Sequence, residues 1–341
     1  MAQSQLRPPT MADVARLAGV SHQTVSRVLG DHPNVRDETR AKVLHAIEEM
    51  GYRPNSSARA LATRRTRTLG VVASNTTLYG PASTLFALEE AARAEGYLVS
   101  TVSLREMTVE TFSEALDHLR DGGVEGVVAI APRQSAVAAL AELRHPFPVV
   151  TVGSGHGLGI PSVNVDQQLG ARLATGHLLA AGHRTVWHLA GPEDWQEAAD
   201  RVIGWRATLE AAGIAPPPML SGDWSPLSGY QAGQELAGWV GRGLTAVFVA
   251  NDQMALGVLR ALREAGVRTP RDVAVVGFDD IPESGFFAPP LTTVRQDFSA
   301  VGKRSIALLL DLIEGRAPSG ASRIVIEPQF VVRASSSPHP P

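Results

Sequence analysis

Thr10-Met-Ala-Asp-Val-Ala-Arg-Leu-Ala-Gly-Val-Ser-His-Gln-Thr-Val-Ser-Arg-Val-Leu29 decides how the chain begins its fold. Asp13 stands three residues after Thr10, an approximate capping box, and this predicts a helix over residues 11–18 with Val14, Leu17 and Ala18 on one face. Gly19-Val20 breaks the run; Ser21 caps a second helix running to Leu29, with Val25, Val28 and Leu29 inward. A third helix spans 36–50 with Val43, Leu44, Ile47 and Met50 apolar, and Gly51 stops it. Two helices joined by a short glycine-containing turn form the geometry that lays the second helix in a major groove of DNA. The exposed residues near its start, Ser21, His22, Gln23, Thr24, Ser26 and Arg27, are then the base readers. Glutamine pairs bidentately with adenine, and arginine pairs with guanine or grips phosphate. A three-helix bundle with a merely polar face is the other reading that these residues alone leave open.

Charge runs the same way. Residues 1–68 hold eleven Arg or Lys against six acids, while the whole chain is at −3, so a basic head precedes an acidic body. That asymmetry suits one small domain meeting a polyanion. Absence of cysteine rules out disulfides and thiolate metal sites and fits a reducing cytoplasm. No run of about 18 apolar residues exists, so no membrane span is expected, and residues 1–10 have no apolar core of a secretory signal.

Beyond residue 67, apolar strands alternate with amphipathic helices. Strands are read at 69–74, 98–104, 124–130, 149–153, 185–190, 246–250 and 273–278. Helices are read at 81–95, 109–120, 167–181, 200–212, 228–240, 253–265 and 298–313. The pattern predicts an α/β body of doubly wound parallel sheets, long enough for two lobes, with ligand binding beyond the C-terminal strand ends in the cleft between them. Residues at those ends have the chemistry of a sugar site. Arg201 offers a planar fork to hydroxyls, Asn251 and Asp279 offer paired hydrogen bonds, and Trp224 and Phe298 offer rings for the apolar face of a pyranose.

The stretch from Thr10 to Leu29 resembles the headpiece of the lactose-repressor (LacI/GalR) family, and the similarity continues through Glu38-Thr39-Arg40 and Gly51-Tyr52-Arg53-Pro54-Asn55. It then runs colinearly through Asp200-Arg201, Gly204-Trp205, Gly222-Asp-Trp-Ser225, Ala250-Asn-Asp-Gln-Met254, Gly277-Phe-Asp-Asp280 and Arg295-Gln-Asp-Phe298. The agreement is closest to the lactose-repressor branch. It implies an N-terminal helix-turn-helix headpiece and a two-lobed body like a periplasmic binding protein.

Residues 1–54 are then the headpiece, 55–67 a hinge helix and linker, 68–333 the effector-binding and dimerisation body, and 334–341 a disordered tail. The near lobe would comprise about 68–165 and 297–322, the far lobe about 166–296 and 323–333. The resemblance completes the DNA-facing set with Thr10, Asn34, Arg36, Asn55, Ala58 and Leu61. Leu61 matches the wedge that unstacks a base step when paired hinge helices enter the minor groove. It completes the ligand set with Leu78, Pro81, Ser83 and Gln296 beside Arg201, Trp224, Asn251, Asp279 and Phe298.

Two departures stand in the head. Gly30 replaces the family's usual Asn, and Arg36 replaces a Ser that would cap the third helix, though Arg36 grips phosphate better. In the body, two polar sugar contacts of the lactose-binding branch fall near Ile130 and Gly153, and this chain lacks both.

The expected partners are double-stranded operator DNA, a small sugar effector and a second copy of the chain through the body. The expected place is the bacterial cytoplasm, at the nucleoid. The expected function is a repressor released from a pseudo-palindromic operator by a sugar, a β-galactoside or related glycoside. A purine-type repressor that needs a corepressor is the alternative, and a glycoside-hydrolysing enzyme the remote one. No leucine heptads follow Arg333, which argues for a dimer rather than a coiled-coil tetramer.

No catalytic residue, metal ligand or cofactor is expected. Gly153-Ser-Gly-His-Gly-Leu-Gly159 opens no helix and is no phosphate loop; His177, His183 and His188 lack zinc spacing; no Gly-x-Ser-x-Gly elbow occurs. Asp279 and Asp280 are adjacent, which does not place two carboxylates on opposite sides of a glycosidic bond.

Overall fold

Thr10 and Asp13 close a reciprocal capping box at the start of α1 (Met11–Ala18): Asp13 N–H donates to the Thr10 hydroxyl, and the Thr10 backbone N–H donates to the Asp13 carboxylate at 3.0 Å. The chain is described by a computed structural model covering residues 9–30, 32–53, 65–142, 147–153, 159–316 and 322–336. Asn55, Ala58 and Leu61, and with them the hinge reading, lie outside the described residues. The molecule divides into two units, Met1–Thr66 and Arg67–Pro341.

In the first unit α1 ends at Gly19, whose φ of +65° is a left-handed stop that only glycine adopts freely. Ser21 then caps α2 (His22–Leu29) by accepting from Thr24 N–H at 3.1 Å. The third helix, α3 (Asp37–Met50), begins one residue later than the sequence suggests. Arg36 occupies its N-cap without a side-chain bond, and Asp37 and Glu38 complement the helix dipole instead. Val14, Val25, Val28, Val43, Ala46 and Tyr52 form the core. Leu17 and Leu44, expected inward, are about half exposed (47% and 51%); Ala15 and Ala46 take the inner positions.

The second unit has two lobes. The near-lobe sheet is parallel, ordered β11-β5-β4-β3-β1-β2, from β1 (Thr68–Ser74), β2 (Leu98–Leu104), β3 (Val127–Ile130), β4 (Val149–Val152), β5 (Ser162–Val165) and β11 (Arg323–Ile326). α4 (Tyr79–Ala94) and α11 (Phe298–Ile313) pack on each other, and their Leu88, Ala92, Val301 and Ile306 join Val71, Val128, Val150 and Val163 in one core. α5 (Val109–Asp121) and α6 (Gln134–Glu142) contact each other, and Phe112 and Leu119 of α5 enter a second core with Val127 and Val149.

The far lobe has a parallel sheet β7-β6-β8-β9, from β6 (Trp187–Ala190), β7 (Met219–Ser221), β8 (Ala246–Val249) and β9 (Ala274–Val276). Its helices are α7 (Gln167–Ala180), α8 (Gln196–Ala211), α9 (Pro226–Ala237) and α10 (Asp252–Glu264). β10 (Thr293–Arg295) and β12 (Gln329–Val331) add an antiparallel pair.

Residues 323–326, read in sequence as far-lobe chain, pair with β5 and so belong to the near-lobe sheet. Ser335 and Ser336, read as loose tail, are buried. The Ser335 hydroxyl donates to Val275 O at 2.6 Å and accepts from Thr292 N–H at 2.7 Å. Among the described residues no helix is long and apolar enough to cross a membrane.

Candidate functional site

The N-terminal unit presents the outer face of α2. Val25 and Val28 are buried, which turns His22, Gln23, Ser26 and Arg27 outward, and all four are exposed. Ser21 and Thr24 are tied to each other, hydroxyl to hydroxyl at 2.9 Å, in the helix cap. Thr10 is engaged with Asp13, its hydroxyl donating at 2.6 Å. Asn34 and Arg36 are exposed at the entrance to α3. Of the DNA-facing residues expected from sequence, His22, Gln23, Ser26, Arg27, Asn34 and Arg36 are thus the exposed ones with no part in a helix-cap side-chain bond among the described residues.

The body contains a cavity of about 300 Å³ at the C-terminal ends of both sheets. Leu78, Tyr79, Pro81, Thr84, Ile130, Pro132, Val152 and Phe298 line it from the near lobe. Trp195, Glu197, Arg201, Trp224, Asn251, Gln253 and Asp279 line it from the far lobe, and Gln296 from the crossing between them. Of the ligand residues expected from sequence, only Ser83 is absent from this lining. It faces an adjoining shallow groove that it shares with Tyr79.

Arg201 is less free than its sequence position suggests. Its Nε donates to Gln167 Oε1 at 2.9 Å, and its Nη1 donates to Ala250 O. The guanidinium lies 3.8 Å over the Phe278 ring and 5.5 Å from that of Trp224. Its Nη2 stands 3.7 Å from Asp279 Oδ1. Gln167 in turn donates to Gln296 Oε1 at 2.8 Å, and Gln296 donates to Asp279 Oδ1 at 2.7 Å. Arg201, Gln167, Gln296 and Asp279 thus form a closed, buried polar ring along the cavity wall. Burial pushes the Asp279 carboxyl up to about 6, against the opposing pull of Arg201 and of the Gln296 bond.

Asn251 serves the wall rather than the space. It caps α10, accepting from Met254 N–H at 2.9 Å, while its amide donates to Trp224 O at 3.1 Å and Gln253 Oε1 at 2.9 Å. Trp224 needs that support, because its φ of +75° is left-handed and costly for a bulky residue. Its indole lies against Gly191, where a Cβ would be driven into the ring. Trp195 meets it edge-on at 5.5 Å, and across the cavity Tyr79 meets Phe298 edge-on at 5.9 Å. Asp280 turns away from the cavity, held by Arg295 at 2.6 Å and Arg333 at 2.7 Å.

The sequence reading missed Gln167, Trp195, Glu197 and Tyr79. The helix predicted from residue 200 starts at Gln196, one turn earlier, and that turn carries Glu197 to the cavity. The helix predicted from 81 starts at Tyr79. The positions near Ile130 and Gly153 lack polar side chains, as read, and Ile130 is an apolar part of the wall.

Comparison with known proteins fits this geometry. The family described as bacterial regulatory proteins, lacI family, matches residues 10–55, and the periplasmic binding protein-like domain matches residues 175–336. The lactose operon repressor of Escherichia coli (strain K12) is 37% identical over 319 residues, 92% of this chain and 88% of that protein. The chain belongs to the LacI family.

Within the LacI family a PurR repressor of Haemophilus influenzae is 31% identical over 96% of this chain and 98% of its own length. Among solved structures, a lac repressor dimer bound to operator and the anti-inducer ONPF superposes with a TM-score of 0.84 at 35% identity, covering 97% of this chain and 99% of that one. A complex of the transcriptional regulator CelR with cellobiose gives 0.71 at 33% identity, covering 96% and 99%. This chain is accordingly a DNA-binding transcriptional repressor of the LacI family.

Proposed function

We propose that this repressor binds a pseudo-palindromic operator as a dimer and is released by a β-linked glycoside, a β-galactoside or a close relative, held between the lobes of its body. The observation that carries the reading is the cavity itself. A buried Arg201–Asp279 pair and the glutamines behind it face a space walled by Trp195, Trp224, Tyr79 and Phe298. Hydroxyls along the edge of a sugar meet the polar ring while its C–H faces meet the aromatic walls.

The solved lac repressor dimer is bound to operator and ONPF, and the solved CelR to cellobiose; their likeness to this chain supports a sugar effector, while the PurR relative keeps the purine alternative open to test. In the head, His22, Gln23, Ser26 and Arg27 read bases, Arg36 and Asn34 hold phosphate, and Leu61 with Asn55 and Ala58 enters the minor groove. Effector binding changes the lobes and disfavours the DNA-bound state, so operator must weaken effector by the same factor that effector weakens operator.

Gel-shift titration against a pseudo-palindromic DNA selected from a random pool tests the reading. Lactose, cellobiose or another β-glycoside should release the DNA. Tighter binding with hypoxanthine or guanine would establish the purine-type alternative, and sugar released from the glycoside would establish the enzyme.

A further inference from the structure

Most polar atoms of the cavity wall are already spent. Asn251 uses both amide hydrogens and its oxygen, Gln296 both ends of its amide, and Thr84 donates to Gly80 O. Arg201 has only Nη2 turned toward Asp279. One lining side chain stands apart. Glu197, in the first turn of α8, is half-buried and makes no hydrogen bond or ion pair with any described residue. Asp279 Oδ2, Gln253 Nε2 and the buried, unpaired indole N–H of Trp224 are also unspent, but Glu197 is the one lining carboxylate that neither Arg201 nor a glutamine holds among the described residues. The space also holds two carboxylates against one guanidinium. A hydroxyl donor gains a charge-assisted bond to Glu197, whereas a ligand anion meets an uncompensated carboxylate in a desolvated space.

We propose that Glu197 is a specificity-determining residue of the cavity: it accepts hydrogen bonds from ligand hydroxyls and turns away sugars that carry phosphate. The inference rests on the glycoside reading above and narrows it to unphosphorylated effectors. Burial raises the free carboxyl above its usual range; Arg201 opposes this, and Asp279 and Asp200 add to it. A ligand hydroxyl that donates to Glu197 favours the charged form and so strengthens its own bond.

Isothermal titration of the full chain and of Glu197→Gln with lactose, cellobiose and their 6-phosphates tests this. The wild type should bind at least one neutral disaccharide about a hundredfold more tightly than its phosphate. Glu197→Gln, nearly the same in shape, should narrow that ratio about tenfold or more, mainly by gaining affinity for the phosphate. Should Glu197→Gln fail to fold, Glu197→Ser serves the same comparison. A ratio unchanged by substitution, or equal binding of both forms by the wild type, overturns the role of Glu197 while leaving the glycoside reading in place. Release of DNA by purines, with none of the four sugars bound, overturns both.

Discussion

Gln167 and Gln296 meet at 2.8 Å where the chain passes between the lobes, Gln167 just after β5 and Gln296 just before α11. Through them the cavity-facing pair Arg201 and Asp279 is joined to two of the crossings. A hydroxyl bound at Arg201 would therefore act on a ring whose other half lies at the joint. This gives the fold a direct physical link from cavity to lobe geometry.

Breaking that ring should cost stability as well as binding. Gln167→Leu removes the acceptor of Arg201 Nε and the donor to Gln296 Oε1, leaving both buried and unpaired. We expect a loss of about 2 kcal/mol, from the usual cost of an unsatisfied buried polar group, read from urea unfolding. A midpoint equal to wild type would show that the ring carries no energy.

Gly191→Ala places a methyl where the Trp224 indole lies. The ring must leave its seat, and overpacking of this kind costs about 1–3 kcal/mol. Effector affinity should fall about tenfold or more by titration calorimetry, with operator affinity kept. Unchanged effector affinity would mean that Trp224 does not form part of the binding wall.

The pH dependence of stability includes two opposing parts. Burial depresses His188 from 6.5 to about 4, despite its bond to Phe248 O, so its contribution is lost as pH falls through that window. Burial raises Asp279 from 3.8 to about 6, so the folded state holds a proton that the unfolded state gives up, and stability is lost as pH rises from about 4 to 6. Asp279→Asn removes the second part and leaves the first. Between pH 6 and pH 4 it should therefore lose about 3 kcal/mol relative to wild type, because each tenfold change in proton affinity is worth roughly 1.4 kcal/mol. Parallel curves of unfolding free energy against pH for the two proteins would contradict the Asp279 assignment.

On the headpiece, Arg27 is exposed on α2 and belongs to the face opposite Val25 and Val28. Arg27→Ala should weaken operator binding about tenfold or more, from the roughly 1–3 kcal/mol of a bidentate base contact. Thr10→Ala should lower headpiece stability by about 1 kcal/mol through the lost cap, seen in thermal unfolding. An unchanged operator affinity for Arg27→Ala would remove this helix from the DNA contact.

Much of this was legible in the sequence because the signals are local. Thr10 with Asp13, Ser21, Gly19 and Gly51 each mark a helix end by their own chemistry, and the all-apolar strands of a doubly covered parallel sheet stand out. What escaped depends on distance along the chain. Gln167 reads as an ordinary residue at a helix start; only the fold brings it to Gln296, 129 residues away. Trp195 and Glu197 precede the apolar periodicity that marks α8, so the first turn was cut off. Arg323–Ile326 alternates only weakly at a sheet edge, and its lobe is set by pairing with β5. Asn251 reads as a ligand contact by family likeness, while the geometry shows it spent on capping α10 and holding Trp224.

The most direct test is fluorescence anisotropy of a labelled operator with purified protein, titrated with and without saturating neutral β-glycoside at fixed salt. The account predicts at least about tenfold weaker DNA binding with the glycoside, within the usual range of allosteric coupling. The same affinity with and without the sugar, or tighter binding in its presence, would contradict it.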